Sequence, residues 1–120
     1  MEKYTAIQSR VVWPCYLNDR GNLFGGEAMK WMDEVAYITA QRYNAREWVT
    51  VSVDKIRFLK SIKLGEIANV TGRVVDAGAV KLTMKVEIWK ETPLSGTSEK
   101  AMEATFIFAA VDENERPVRL

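Results

Sequence analysis

The run Asn18-Asp19-Arg20-Gly21-Asn22-Leu23-Phe24-Gly25-Gly26, continuing as Glu27-Ala28-Met29-Lys30-Trp31-Met32-Asp33-Glu34-Val35-Ala36, decides how this chain is built. Its first half is turn chemistry, because Asn18, Asp19, Gly21 and Asn22 all favour backbone reversals. Its second half is helix. Glu27, Ala28, Met29, Lys30, Met32, Glu34, Ala36 and Ala40 have high helix propensity, and Glu27 suits the positive end of the helix dipole. The pattern predicts a helix from about Gly26 to Tyr43.

On both sides of this helix the chain reads as strand. Tyr4 to Trp13 is rich in β-branched and aromatic residues and is ended by Pro14. After the helix, Val49, Val51 and Val53 alternate with Thr50, Ser52 and Asp54. The alternation slips at Lys55, which implies a bulge before Ile56 and Phe58. Ile67 to Val75 is a further strand, turning at Asp76-Ala77-Gly78. Val80, Leu82, Met84, Val86 and Ile88 then alternate with Lys81, Thr83, Lys85 and Glu87, the clearest period-two signal in the chain. Thr92 to Ser98 reads as a loop, Lys100 to Val111 as the last strand, and Asp112 to Leu120 as a polar tail. The order strand, helix, four strands predicts an α+β domain spanning residues 1–120, an antiparallel sheet curled around one central helix. Exposed strand edges and one open sheet face predict at least a dimer.

At about 100° per residue, Glu27, Lys30, Glu34 and Gln41 fall on one narrow polar sector of the helix. The remaining arc holds Ala28, Met29, Trp31, Met32, Val35, Ala36, Ile38, Ala40 and Tyr43, so the helix is expected to be wrapped rather than laid on a surface. Asp33 stands at the border of that arc.

Composition narrows the chemistry. Of 120 residues, 17 are Lys or Arg and 16 are Asp or Glu, a net charge of +1 that gives bulk nucleic-acid binding no support. Cys15 is the one cysteine, which points to a reducing cytoplasmic setting and an inert thiol. The apolar run Ala104 to Val111 is too short to span a bilayer, and Met1-Glu2-Lys3-Tyr4 lacks the apolar stretch of a leader, so no membrane insertion is expected. The chain contains no histidine. That removes Ser-His-Asp and Cys-His catalysis, histidine-dependent dehydration and histidine-ligated metal. A general base at neutral pH must then be a carboxylate or a perturbed lysine, and no metal or other cofactor is expected.

Against this background the opening stretch holds the candidate chemistry. Gly25 and Gly26 can present free N–H groups at a helix N-terminus to an oxyanion, worth about 3 kcal/mol per donor, or can merely permit a sharp entry into the helix. Asp33 is either a helix-surface partner of Lys30 or a base (alternatively a nucleophile) at the edge of a groove. Asn18 either caps its own loop or orients water or a carbonyl. The glycines precede Asp33 by eight and seven residues, about 10–12 Å along a helix axis. One carbonyl therefore cannot touch both on a single helix. If both act on it, they come from two chains, as antiparallel helices of a two-fold dimer would allow.

The spaced Asn18, Gly21 and Phe24-Gly25-Gly26, followed by Met29 and Trp31-Met32-Asp33-Glu34-Val35-Ala36, resemble the hot-dog-fold acyl-CoA thioesterases of the cytoplasmic long-chain and broad-range group. The similarity continues through Val49 to Asp54, Phe58, Gly65-Glu66 and Ala110-Val111-Asp112. The resemblance implies a double hot-dog dimer, commonly a trimer of dimers, and metal-free hydrolysis of acyl-CoA to a fatty acid and CoA. It also implies that residues matching Asn18 and Asp33 act from opposite subunits, with the glycine pair holding the thioester oxygen. Two departures stand out: Ala79-Val80-Lys81-Leu82 replaces a Thr-Ser-Met that helps seat CoA, and Ser61 replaces a proline. The expected CoA phosphate contacts are Arg57, Lys60 and Lys81; Met29, Met32 and Tyr37 are expected beside the acyl chain, and Phe24 is a further expected substrate contact. Two rival readings are a non-catalytic acyl-CoA binding module and a thioesterase for carrier-bound or aromatic acyl groups.

Overall fold

The computed structural model describes residues 5–120, so the reading of Met1 to Tyr4 lies outside the described residues. Five strands, β1 (Thr5–Val11), β2 (Trp48–Phe58), β3 (Ile67–Ala77), β4 (Lys81–Thr92) and β5 (Thr97–Ala110), accompany one helix, α1 (Gly25–Tyr43). A single turn of 3₁₀-helix, Pro14–Tyr16, interrupts the loop after β1. All strand pairs are antiparallel and the sheet order is β1-β3-β4-β5-β2. The two edge strands border one cavity on the helix side, Gln8 from β1 and Trp48 and Thr50 from β2, so the sheet curls around α1. This is the expected α+β arrangement.

The core lies between α1 and the sheet. Alternation in β4 buries Leu82, Met84, Val86 and Ile88 completely, as its period-two pattern predicts. Val70 and Val74 of β3 and Phe106 and Phe108 of β5 complete the inner face. The helix approaches most closely at Gly72, where an added Cβ would stand 2.6 Å from Thr39 Oγ1 and 3.0 Å from Val35 Cγ1. Thr39 is fully buried, yet its hydroxyl is satisfied by the Val35 carbonyl at 2.8 Å.

Four expectations need correction. The helix is covered on one side only: Ala28, Trp31, Met32, Val35, Ala36, Thr39 and Ala40 are buried, whereas Gly26, Lys30, Asp33 and Tyr37 form an exposed stripe at i, i+4, i+7, i+11. Of the β2 valines only Val53 packs against the core. Val49 and Val51 are exposed, because register shifts between Thr50 and Ser52 and between Asp54 and Arg57 break the two-residue period. Lys55 carries the second bulge at φ 55°, where the slip was expected. Residues 112–120 are not a detached tail. They fold back through Val118 N–H to Ala110 O (2.9 Å) and Leu120 N–H to Ala79 O (2.8 Å), and Val118 and Leu120 pack on the core. β5 also begins earlier than expected, at Thr97, because Gly96 at φ 70° turns the hairpin tightly.

On the outer sheet face, Glu87 and Glu103 stand opposite each other on β4 and β5. Cations hold this like-charged pair together. Lys100 bonds Glu103 at 2.8 Å and Glu87 at 3.2 Å, with Arg57 (3.2 Å) and Lys85 (3.6 Å) also on Glu103. The Lys100 hydrogen bond, with the surrounding positive charge, keeps the Glu103 carboxyl below the ordinary carboxylate range despite its partial burial. Hydrogen bonds donated to Glu103 and Glu87 raise the Lys100 amino group above its usual value.

Candidate active site

Two of the cavities that border α1 divide the expected site, with Asn18 and Gly25 in one and Asp33 in the other. The first, about 210 Å³, is lined by Asn18, Asn22, Leu23, Gly25, Ala28, Phe58, Lys60, Ser61, Ile62 and Met102. Backbone bonds fix its walls: Leu23 N–H to Ile62 O (2.6 Å), Phe24 N–H to Tyr16 O (2.8 Å) and Asn18 N–H to Asn22 O (2.8 Å). The loop is thereby tied to the 59–66 connection rather than left to solvent.

Asn18 has the loop-capping role left open for it. Its Oδ1 accepts from the Arg20 N–H (2.9 Å) and the Asn22 N–H (3.1 Å), an Asx turn that locks the side chain. That leaves the Nδ2 amide, which has no partner among the described residues, as a pre-oriented donor. Gly25 opens the helix after Phe24, which has an extended backbone and no side-chain cap. The N–H groups of the first turn therefore keep no intrahelical acceptor. Gly25 faces the ring of Phe58, 3.6 Å from where a Cβ would be. Gly26 borders a different surface cavity, with Cys15, Tyr16, Leu17, Phe24 and Glu27. Cys15 itself is exposed.

The second cavity, about 540 Å³, is lined by Gln8, Asp33, Glu34, Tyr37, Ile38, Trp48, Thr50 and Phe108. Asp33 is exposed and makes no ion pair with Lys30, which instead meets Glu27 at 3.8 Å. The partner of Asp33 is Thr50, whose hydroxyl donates to Oδ1 at 3.0 Å. Thr50 is absent from the sequence-derived site. Its signal was a hydroxyl in a valine-rich strand, indistinguishable from a solvent-facing residue until the bulge in β2 turned it toward the helix.

The nine residues from Gly25 to Asp33 lie in one unbroken helix, so the axial separation of its ends, about 12 Å, holds. Donors and acid border separate cavities of the chain.

The remaining expectations divide. Lys60 lines the Asn18 cavity. Arg57 is committed to Glu103, and Lys81 pairs with Ala109 while the Lys60 N–H bonds Ala101 O, so Lys81 and Lys60 lie toward opposite ends of β5. The three cations do not form one cluster. Phe24 is exposed and Met29 half-buried, both accessible to a ligand. Met32 is fully buried and lines neither half-site; it is core, because it shares the helix face of Val35 and Ala36.

Residues 20–97 match the model of the thioesterase superfamily. The chain is similar to an uncharacterized acyl-CoA thioester hydrolase of Bacillus subtilis, YkhA, with 33% identity over 93% of this chain. It spans 65% of that relative's length. Among solved structures it is similar to an apo-hexameric acyl-CoA thioesterase (TM-score 0.94, 30% identity, 98% of this chain and 76% of that one). It is also similar to the acyl-CoA hydrolase of Staphylococcus aureus in complex with butyryl-CoA, CoA and CoA disulfide (TM-score 0.92, 30% identity, 99% and 73%). Further structures of the S. aureus enzyme carry alanine in place of an asparagine, an aspartate and a threonine. In that chain the asparagine precedes the aspartate by 15 residues and the threonine follows it by 17.

Proposed function

Because this chain belongs to the thioesterase superfamily, among its hot-dog-fold acyl-CoA thioester hydrolases, we propose that it hydrolyses acyl-CoA to a free carboxylic acid and CoA in a site shared by two copies. The observation that carries this reading is the division of one helix into a donor end at Gly25 and an acid at Asp33, about 12 Å apart and bordering different cavities. Each half lacks what the other has. Antiparallel apposition of two α1 helices supplies both halves twice.

In this reading the thioester oxygen of the substrate meets the free N–H groups at Gly25 and Gly26, where helix dipole and hydrogen bonding favour negative charge. Asn18 Nδ2, in the same cavity as Gly25, donates to that oxygen or to the attacking water. Asp33 of the opposite copy takes the proton from water as it adds to the carbonyl, or attacks directly and is later hydrolysed. Collapse of the tetrahedral adduct expels the CoA thiolate. Thr50 holds the Asp33 carboxylate through one oxygen, leaving the other for the reaction. Asn18, Asp33 and Thr50 stand 15 and 17 residues apart, the same separations as the three residues altered in the S. aureus enzyme.

The edge strand supports the pairing. β2 presents exposed Val49, Val51, Ile56 and Phe58 on an open sheet edge, a surface suited to a second copy. A trimer of such dimers, as in a hexameric relative, is the proposed assembly. Lys60 beside the donor cavity is the proposed phosphate contact, with Arg57 and Lys81 as outlying cations, and Phe24 and Met29 are proposed to flank the substrate.

The test is thiol release from acyl-CoAs of two to eighteen carbons. Turnover of a subset establishes the activity and its chain-length range. Binding without thiol release would instead identify a sensing module, and insensitivity to free CoA as competitor would identify a carrier-dependent enzyme.

A further inference from the structure

The cavity that holds Asp33 extends in one direction from it. The α1 residues in its wall, Asp33, Glu34, Tyr37 and Ile38, run from the acid toward the C-terminal end of the helix. Across from them β2 contributes Thr50 and Trp48. Thr50 marks the reacting end, because its hydroxyl bonds the Asp33 carboxylate at 3.0 Å. Trp48 marks the other end. It is the first residue of β2, and its indole N–H donates to the carbonyl of Asn44, the residue that caps α1, at 2.9 Å. The ring thus bridges the end of the helix and the start of the strand. Trp48 is only 7% exposed, yet it borders the cavity.

The distance between the two ends follows from the strand. Trp48 and Thr50 project to the same side of β2, since the first register shift comes after Thr50. Two residues of strand separate them by about 7 Å. The space between suits hydrocarbon: Ile38, Phe108 and the ring of Tyr37 wall it, and Glu34 is engaged by Arg10 at 2.7 Å. The end wall is also hard to move. Swinging the indole aside would break its hydrogen bond and strand a buried donor.

We propose that Trp48 is a specificity-determining residue that ends the acyl pocket and limits the substrate to short and medium acyl chains. In an extended zigzag, three bonds span about 3.5 Å. About six bonds therefore fill the roughly 7 Å from the reacting end to the indole, which sets the preferred acyl group at about six carbons. Longer chains meet the ring. This inference rests on acyl-CoA hydrolysis at Asp33, to which it adds the chain length.

The experiment measures kcat/KM for butanoyl-, hexanoyl-, octanoyl-, decanoyl- and dodecanoyl-CoA in the full chain and in Trp48→Ala. The full chain is expected to peak near hexanoyl-CoA and to fall at least about tenfold by dodecanoyl-CoA. In Trp48→Ala the peak should move to a longer chain. Trp48→Phe, with a smaller ring and no N–H, should shift it the same way by less, and serves should Trp48→Ala fail to fold; the profile of the full chain decides without either. Cleavage of dodecanoyl-CoA as efficiently as hexanoyl-CoA, or a peak that stays in place in a folded Trp48→Ala, overturns the inference while leaving thioester hydrolysis standing. Failure to cleave any thioester overturns the underlying reading, and the inference falls with it.

Discussion

Around Asn18 and Gly25 the backbone does the positioning, whereas around Asp33 and Thr50 the geometry depends on two side chains meeting across elements. The donor cavity is knitted by main-chain bonds between the loop and residues 59–66, and its Asn18 is held by two N–H groups of its own turn. The acid lies on an exposed helix stripe with one hydrogen bond to an edge strand. The contrast teaches that one half is held by its own main chain and the other by a single side-chain contact at a sheet edge, so the proposed shared site would join a stiff donor set to a lightly held acid.

Altering the acid should have the largest effect. Asp33→Ala is expected to lower acyl-CoA turnover by about 10²-fold or more, the usual contribution of a positioned base, with little change in thermal stability because Asp33 is exposed. Retention of more than about a tenth of the activity would remove Asp33 from the reaction. Next comes Asn18→Asp, which keeps the oxygen that anchors the turn and loses the free amide donor. Its melting temperature should stay near that of the parent while kcat falls about tenfold or more; unchanged kcat would reduce Asn18 to a loop anchor. Thr50→Val should lower kcat several-fold, with Thr50→Ser restoring most of it. Equal activity in all three would mean that the Asp33–Thr50 hydrogen bond positions nothing.

The smallest expected effect lies outside both halves. Glu103 has a depressed carboxyl pKa, so it contributes stability above the ordinary carboxylate value near 4.5, and that contribution is lost as pH falls through its lower folded-state value. Glu103→Gln should therefore melt earlier than the parent at neutral pH, where Lys85, Lys100 and Arg57 lose their counter-charge. The difference should shrink at pH below about 4, as the parent's own carboxyl protonates. Catalysis should be little affected. A stability gap that persists unchanged into acid would contradict the charge account of this face.

How far the sequence could be read differs between β4 and β2. In β4 each second residue is apolar and interior, since a central strand has one face against the helix and its neighbours hold its register. β2 looks similar on paper, but two bulges rotate Thr50 and its neighbours, and local pattern cannot say where an edge strand bulges. The helix shows the same divide. Its buried arc followed from periodicity, but half-buried Met29 and Ile38 show that an apolar arc need not be fully covered by its own chain. Asn18, Gly25, Gly26 and Asp33 were legible as residue types in a telling order, and the helical spacing of the glycines and the acid calls for two copies if both act on one carbonyl. Thr50 was not, because its contact with Asp33 depends on which cavity it borders rather than on its neighbours in sequence.

Subunit complementation tests the shared site most directly. Asp33→Ala and Asn18→Ala chains, each nearly inactive, are unfolded together, refolded and assayed for thioester hydrolysis. Random pairing places one intact acid opposite one intact donor set in half of the dimers, so the mixture should recover about a quarter of the parent activity. Activity no higher than that of the separate variants, in a mixture shown to contain mixed dimers, would contradict a site built from two chains.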